Sequence, residues 1–156
     1  MPFFSLRRTL LAIGLAGCAT LAQASENENG IEHVMSDDAF EAVVERLEST
    51  LDEKGLTLMT TVDHAANAAN NDMTLSPTML FIFGNPKVGT PMMQCQGSVG
   101  IDLPQKMLVR ETGEGVRIEW NNPQFLAQRH GLEQCDLPLD KVSDLLRTVA
   151  ETAADE

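Results

Sequence analysis

Five consecutive apolar residues, Met79-Leu80-Phe81-Ile82-Phe83, lie between Ser76-Pro77 and Gly84-Asn85-Pro86. A continuous apolar run of this length, closed on both sides by turn residues, reads as a strand covered on both faces. It commits the chain to a sheet with a buried interior strand. The residues after it predict the next element. Gly89-Thr90-Pro91 is expected to open a helix, with Thr90 as N-cap and Pro91 in the first helical position, and Gly97 to close it.

The flanking sequence supplies more of both element types. Residues 31–34 read as a short first strand. Ser36 is expected to cap a helix with Asp37 and Asp38 in its first turn. Phe40, Val43, Val44, Leu47 and Leu51 recur at helical spacing, and Lys54-Gly55 supplies the stop. Glu41, Glu45, Glu48 and Asp52 then form a solvated face. Residues 56–63 read as a strand with Leu56, Leu58 and Val62 on one side, and residues 65–71 as a short helix. Downstream, a short strand over 98–102 is broken by Leu103-Pro104. Segments 105–111 and 116–120 flank Thr112-Gly113-Glu114-Gly115, a hairpin signal. Val116, Ile118 and Trp120 face one way, Arg117 and Glu119 the other. Asn122-Pro123 caps a helix that ends at His130-Gly131. Pro138 opens a last helix with Leu139, Val142, Leu145, Leu146 and Val149 on its apolar side, and residues 151–156 are expected to fray. The order predicts one domain over 31–150 of the α+β class: a two-layer sandwich, mostly antiparallel sheet with helices packed on one face.

The N-terminal end reads as an address. Arg7 and Arg8 precede an apolar stretch over 10–20, too short to span a bilayer and of signal-peptide length. Ala22-Gln23-Ala24 fits the small-x-small cleavage rule, which makes 1–24 a signal peptide and 25–30 a flexible lead. Leu15-Ala16-Gly17-Cys18 offers a rival, a lipoprotein box anchored through Cys18. Cleavage after Ala24 is favoured because a polar run begins at Ser25. Both readings expect a periplasmic protein with no membrane span. Loss of 1–24 removes two arginines and no acids, moving the net charge from −12 to −14. A chain this acidic is a poor partner for nucleic acid or anionic lipid. Cys95 and Cys135 survive cleavage, and two cysteines in an exported chain read as one disulfide.

Several ordered motifs resemble a known family. Residues 83–94 (FGNPKVGTPMMQ), 101–109 (IDLPQKMLV), Trp120-Asn121-Asn122-Pro123 and Arg129-His130-Gly131 look like the family called domain of unknown function 302. So do Gly55-Leu56 and Val62-Asp63-His64-Ala65-Ala66-Asn67-Ala68. The resemblance covers about residues 30 to 132. It implies a compact α/β domain that commonly forms a homodimer, and it implies no chemistry and no cofactor.

Candidate chemistry is sparse. The turn over 84–90 leads from a strand into a helix N-terminus, where free N–H groups and Lys87 suit a small anionic ligand. The Lys is misplaced for a nucleotide phosphate loop. His64 follows Asp63 at a strand end, and His130 lies at a helix C-terminus, where imidazolium is favoured. Met92, Met93 and Cys95 share one helix and are soft ligands for copper(I), but Met92 and Met93 diverge by about 100°, so one of them packs in the core. No metal site is assigned. No Ser/His/Asp set, H-E-x-x-H or paired-carboxylate pattern stands out. The leading reading is a non-catalytic domain that binds a small ligand or a partner in a cleft near Asp63, His64, Asn85, Lys87, Asn121 and His130, polar residues at strand ends and loop starts. The alternatives are a thiol- or metal-linked role for Cys95 and Cys135 with Met92 and Met93, and an enzyme using His64 or His130 as acid or base.

Overall fold

The computed structural model describes residues 29–155; the expected cleavage and lipidation positions, Ala24 and Cys18, lie outside that range. Its strands are β1 (Ile31–Ser36), β2 (Thr57–Asp63), β3 (Thr78–Gly84), β4 (Gln105–Thr112) and β5 (Gly115–Asn121). They pair antiparallel in the order β1-β5-β4-β3-β2. The helices are α1 (Phe40–Glu53), α2 (His64–Ala69), α3 (Pro86–Cys95), α4 (Pro123–His130) and α5 (Leu139–Ala154). Single 3-10 segments follow α3 (Gly97–Ile101) and α4 (Leu132–Gln134). The fold is α+β.

The main core lies between one face of the sheet and the helix pair α1 and α5. Phe81 and Phe83 of β3, Met107 and Val109 of β4, and Val116, Ile118 and Trp120 of β5 all point into it. Val43, Leu47 and Leu51 of α1 close it from above with Leu146 and Val149 of α5. Each fully buried Phe or Leu contributes about 1.5–3 kcal/mol. The expectation that β3 is covered on both faces needs correction. Leu80 and Ile82, on its second face, are only half-buried. Both helices land on the Phe81 side. The shelter that Leu80 and Ile82 have comes from the adjacent strand, where they register against Leu108 and Lys106.

Several local expectations give way to tertiary demands. In β2 the register slips between Leu58 and Thr60, a bulge at Met59. Leu58 opposes Phe83 on the core side, whereas Val62 opposes Leu80 on the other, so they do not share a face. The segment over 98–102 is not a strand; it turns as the 3-10 segment Gly97–Ile101. Ser36 does not cap α1, whose N-cap is Ala39. It ends β1, is buried, and its Oγ donates to the Ala154 carbonyl at 2.5 Å. Arg46 Nε donates to the neighbouring Ala153 carbonyl at 3.0 Å. These bonds hold the end of α5, where fraying was expected, and Ala153 and Ala154 are buried. Gly30 is held too. Gly30 sits at φ +69°, and a Cβ there would meet the Phe125 ring at 2.2 Å.

Ser36→Ala leaves the Ala154 carbonyl short of its buried donor. A loss of about 1–3 kcal/mol is expected, read as a lower urea midpoint with unchanged far-UV circular dichroism.

Candidate functional site

At one end of the sheet β3 finishes, β4 begins and β5 finishes, and there α3, α4 and the two 3-10 segments gather around a second, smaller core. Met92, Val99, Ala127 and Leu132 are its buried members. Cys95 and Cys135 come within bonding distance across it, with Cα atoms 6.4 Å apart, inside the span that a disulfide bridges.

The helix after β3 starts earlier than its sequence suggests. Asn85, not Thr90, is the N-cap: its Oδ1 accepts from Lys87 N at 3.0 Å, and Pro86 takes the first helical position. Gly89, Thr90 and Pro91 lie inside the helix. The strong Asn-Pro signal wins over the weaker Thr-Pro one because it stands directly at the strand end. This alters the anion argument. Pro86 has no N–H, Lys87 N is held by the Asn85 side chain, and Val88 N and Gly89 N both bond the Asn85 carbonyl. The donors that would cradle an anion are already satisfied.

What this end of the molecule offers instead is apolar. A cleft of about 220 Å³ lies between α3, the end of β3 and the Leu103-Pro104 turn, with a cis Leu103–Pro104 peptide. Met59, Val88, Met92, Met93 and Leu103 supply most of its wall, and Gly84 and Gly89 keep it open. Met92 points inward to the small core, as one of the two adjacent methionines had to, while Met93 is 43% exposed at the cleft. Met59 is put there by the β2 bulge and is also half exposed.

The six polar residues expected to share a cleft are dispersed. Asp63 and His64 stand at the far end of β2, six strand residues or about 20 Å from the Thr57–Gly84 end where Asn85 lies. Asp63 Oδ1 caps α2 by accepting from Ala66 N at 2.8 Å, and His64 is exposed. Asn85 lines the apolar cleft, and Lys87 is exposed on α3. Asn121 borders a different hollow, on the uncovered sheet face, with Ile31, Leu80, Lys106 and Leu108. His130 belongs to neither. Its Nε2 lies 2.6 Å from Asp102 Oδ2 and its Nδ1 lies 3.0 Å from Ser98 Oγ. Ser98 and Asp102 went unnoticed in the sequence because nothing local links them to a residue about thirty positions away.

The uncovered sheet face carries charge as well as apolar surface. Glu119 takes two bonds from Arg110, Oε2 from Nε at 2.6 Å and Oε1 from Nη2 at 3.2 Å, and Arg117 Nε lies 3.2 Å from the same Oε1. The Arg110 bonds hold the Glu119 carboxyl below its ordinary value of 4.5, against a smaller opposing effect of burial.

The family model for the domain of unknown function DUF302 matches residues 32–153, nearly all of the described chain. The chain belongs to the DUF302 family. The crystal structure of an uncharacterized conserved DUF302 protein from Bacillus stearothermophilus superposes with a TM-score of 0.71 at 16% identity, over 80% of this chain and 98% of that one. At that identity the likeness speaks for the DUF302 fold alone. Two curated proteins are 40% identical over 110 residues, 70% of this chain: the fluoride-specific ion channel FluC 1 of Brucella suis biovar 1 and that of Brucella abortus biovar 1. This DUF302 chain spans only 43% and 41% of their lengths. Among the described residues no helix is long and apolar enough to cross a membrane.

Two outcomes follow for this DUF302 domain. Because the Glu119 carboxyl titrates lower folded than unfolded, its contribution is present above 4.5 and is lost as pH falls through the lowered native value. Glu119→Gln is therefore expected to flatten the fall of the urea midpoint as pH drops below 4.5. Reduction of Cys95–Cys135, which closes a loop of 40 residues, is expected to lower stability by up to about 4 kcal/mol, measured as urea unfolding with and without a phosphine reductant.

Proposed function

We propose that this chain is an exported DUF302 domain, periplasmic after cleavage at Ala24, that binds a small apolar ligand or an apolar segment of a partner in the cleft beside α3. The carrying observation is the cleft wall. Two half-exposed methionines, Met59 and Met93, border it, and Ile101, which is 75% exposed, follows the Gly100 that packs on Met93. Exposed apolar surface of this kind is costly to leave wet and marks binding surfaces. Thioether side chains adapt to varied apolar shapes. An anionic ligand is not part of the proposal, since the N-terminal donors of α3 are bonded within the chain. The export reading rests on Arg7-Arg8, the apolar stretch over 10–20 and Ala22-Gln23-Ala24. The homodimer expected from the resemblance belongs to the same proposal, and the half-buried strip of Leu80, Ile82 and Leu108 on the uncovered sheet face supports it.

The name of the Brucella relatives describes proteins more than twice the length of the matched segment. We assign ion conduction to the remainder of those proteins and carry none of it to this chain. Their composition supports one refinement: a domain joined to a membrane protein in some chains has work near a membrane protein in others. A thiol- or metal-linked role draws less support. Met92 is buried in the small core, and Cys95 is paired with Cys135.

The test is fluorescence titration with N-phenyl-1-naphthylamine, a neutral apolar probe. Gly89 sits inside α3 with its Cβ position 3.7 Å from Leu103 Cδ1, so a larger side chain there enters the cleft without a backbone clash. Gly89→Leu is expected to weaken probe binding at least tenfold while the urea midpoint holds or rises, because a helical glycine costs about 1 kcal/mol against good helix formers. Equal binding in both proteins would remove the cleft from the proposal.

A further inference from the structure

We propose that Ser98, His130 and Asp102 form a reactive set that transfers the acyl group of a small carboxylic ester to Ser98 and on to water. The proposal rests on how three side chains from two elements are joined. Ser98 and Asp102 belong to the Gly97–Ile101 segment and its C-cap, and His130 is the last residue of α4. Asp102 Oδ2 lies 2.6 Å from His130 Nε2, and His130 Nδ1 lies 3.0 Å from Ser98 Oγ.

The proton inventory of this chain of bonds has one consistent solution with a neutral ring. An ionised Asp102 can only accept, so His130 Nε2 carries the proton. Nδ1 is then bare and accepts from the Ser98 hydroxyl. A serine that donates to an imidazole whose other nitrogen is bonded to a carboxylate is the arrangement that activates a hydroxyl nucleophile. The two ring nitrogens are used in the opposite sense from the usual serine triad, where the carboxylate takes Nδ1. Either nitrogen serves, since the task requires only one lone pair facing the hydroxyl and one N–H facing the acid.

Burial is graded along the set in the useful direction. The His130 side chain is 6% exposed and Asp102 14%, whereas Ser98 is open to solvent. The base is sheltered and the nucleophile is reachable. Asp102 is held from both ends: Lys106 Nζ donates to its carbonyl at 2.8 Å, and Arg129 Nη1 lies 3.4 Å from the same carboxylate oxygen that His130 uses. The segment carrying Ser98 packs on Met93, one of the cleft's lining residues: a Cβ on Gly100 would lie 3.5 Å from Met93 Sδ. An ester with a short apolar acyl chain is the substrate class that fits.

Ser98 Oγ attacks the ester carbonyl carbon as its proton passes to His130 Nδ1. The tetrahedral intermediate collapses, the C–O bond to the alcohol breaks, and the departing alkoxide takes the proton from Nδ1. Water then attacks the acyl-serine, gives its proton to Nδ1, and the acid leaves as Ser98 regains a proton. Ester and water become acid and alcohol. Ser98 is the nucleophile, His130 the base, and Asp102 a positioning residue.

The test uses the full mature chain with its disulfide intact; labelling of Ser98 is read separately from probe binding in the cleft, so failure of this proposal and failure of the apolar-binding one are distinguishable. A fluorophosphonate probe is followed by peptide mass spectrometry, and hydrolysis of p-nitrophenyl butyrate by absorbance. The expected result is labelling confined to Ser98 and lost in Ser98→Ala, with esterase activity lost in the same variant. Asp102→Asn is expected to slow acylation at least tenfold and to displace the rise of rate with pH, a readout that a purely structural bond would not move. Circular dichroism and urea midpoints for Ser98→Ala and Asp102→Asn separate these losses from unfolding. Labelling of the wild type no faster than Ser98→Ala would overturn the proposal. So would equal labelling rates in the wild type and a folded Asp102→Asn. Either result would make the three side chains a clamp between α4 and the 3-10 segment.

Discussion

One sheet has one covered face, and most of this structure follows from that asymmetry. α1 and α5 pack on each other and on the side of the sheet that carries Phe81, Phe83, Met107, Val109, Ile118 and Trp120. Those residues alternate along their strands with Leu80, Ile82, Lys106, Leu108, Arg117 and Glu119, which go to the other face by the two-residue period. A one-residue slip of β4 would exchange its two sets and bury Arg110 beneath the helices, and a slip of β5 would bury Glu119 there. The pattern therefore fixes register as well as fold. The Ser36 and Arg46 bonds to the last turn of α5 then set where the covering layer ends.

The second core is a consequence of connection. β3 and β4 are neighbours, but the link between them holds α3 and a 3-10 segment, and β5 runs on into α4. These pieces gather beyond the end of the sheet and bury against one another around Met92, Val99, Ala127 and Leu132, while α4 also packs on α5. A core that small is marginal by itself. The Cys95–Cys135 link, the Asn85 and Asn122 caps and the His130–Asp102 bond all cross or close it. Both candidate functional features lie in this appended layer, whose polar and apolar groups were free to be placed without disturbing the sheet.

Much of the fold was legible because it is carried by short-range signals. The Thr112–Gly115 hairpin, the Asn122-Pro123 start and Gly131 stop of α4, and the α1 stripe from Phe40 to Leu51 stand where their residues predict. The failures share a cause. Thr90-Pro91 looks like a helix start, but a helix already begun at Asn85 runs through it and carries Pro91 as an interior proline that forgoes one backbone bond. The bulge at Met59 has no signature of its own, and it alone moves Val62 to the other face and Met59 to the cleft. The six polar residues do not converge because residues at strand ends need not be neighbours. In an antiparallel sheet the two ends of a strand face opposite edges of the layer, so Asp63 and Asn85 were separated as soon as β2 paired with β3.

The same reasoning explains why His130 could be picked out and its partners could not. A histidine at a helix C-terminus, next to a glycine at φ +71°, is visible in sequence as a polar side chain at the negative end of the helix dipole. What it touches depends on how α4 packs against the segment after α3, and that packing is decided by Val99, Ala127 and Leu132, which carry no chemistry. A hydroxyl and a carboxylate four residues apart are common and mean nothing alone. They acquire meaning when an apolar residue between them, Val99, is driven into a core that also holds the helix bearing His130. In this domain the chemistry is thus assembled by hydrophobic burial, with polar geometry as its by-product.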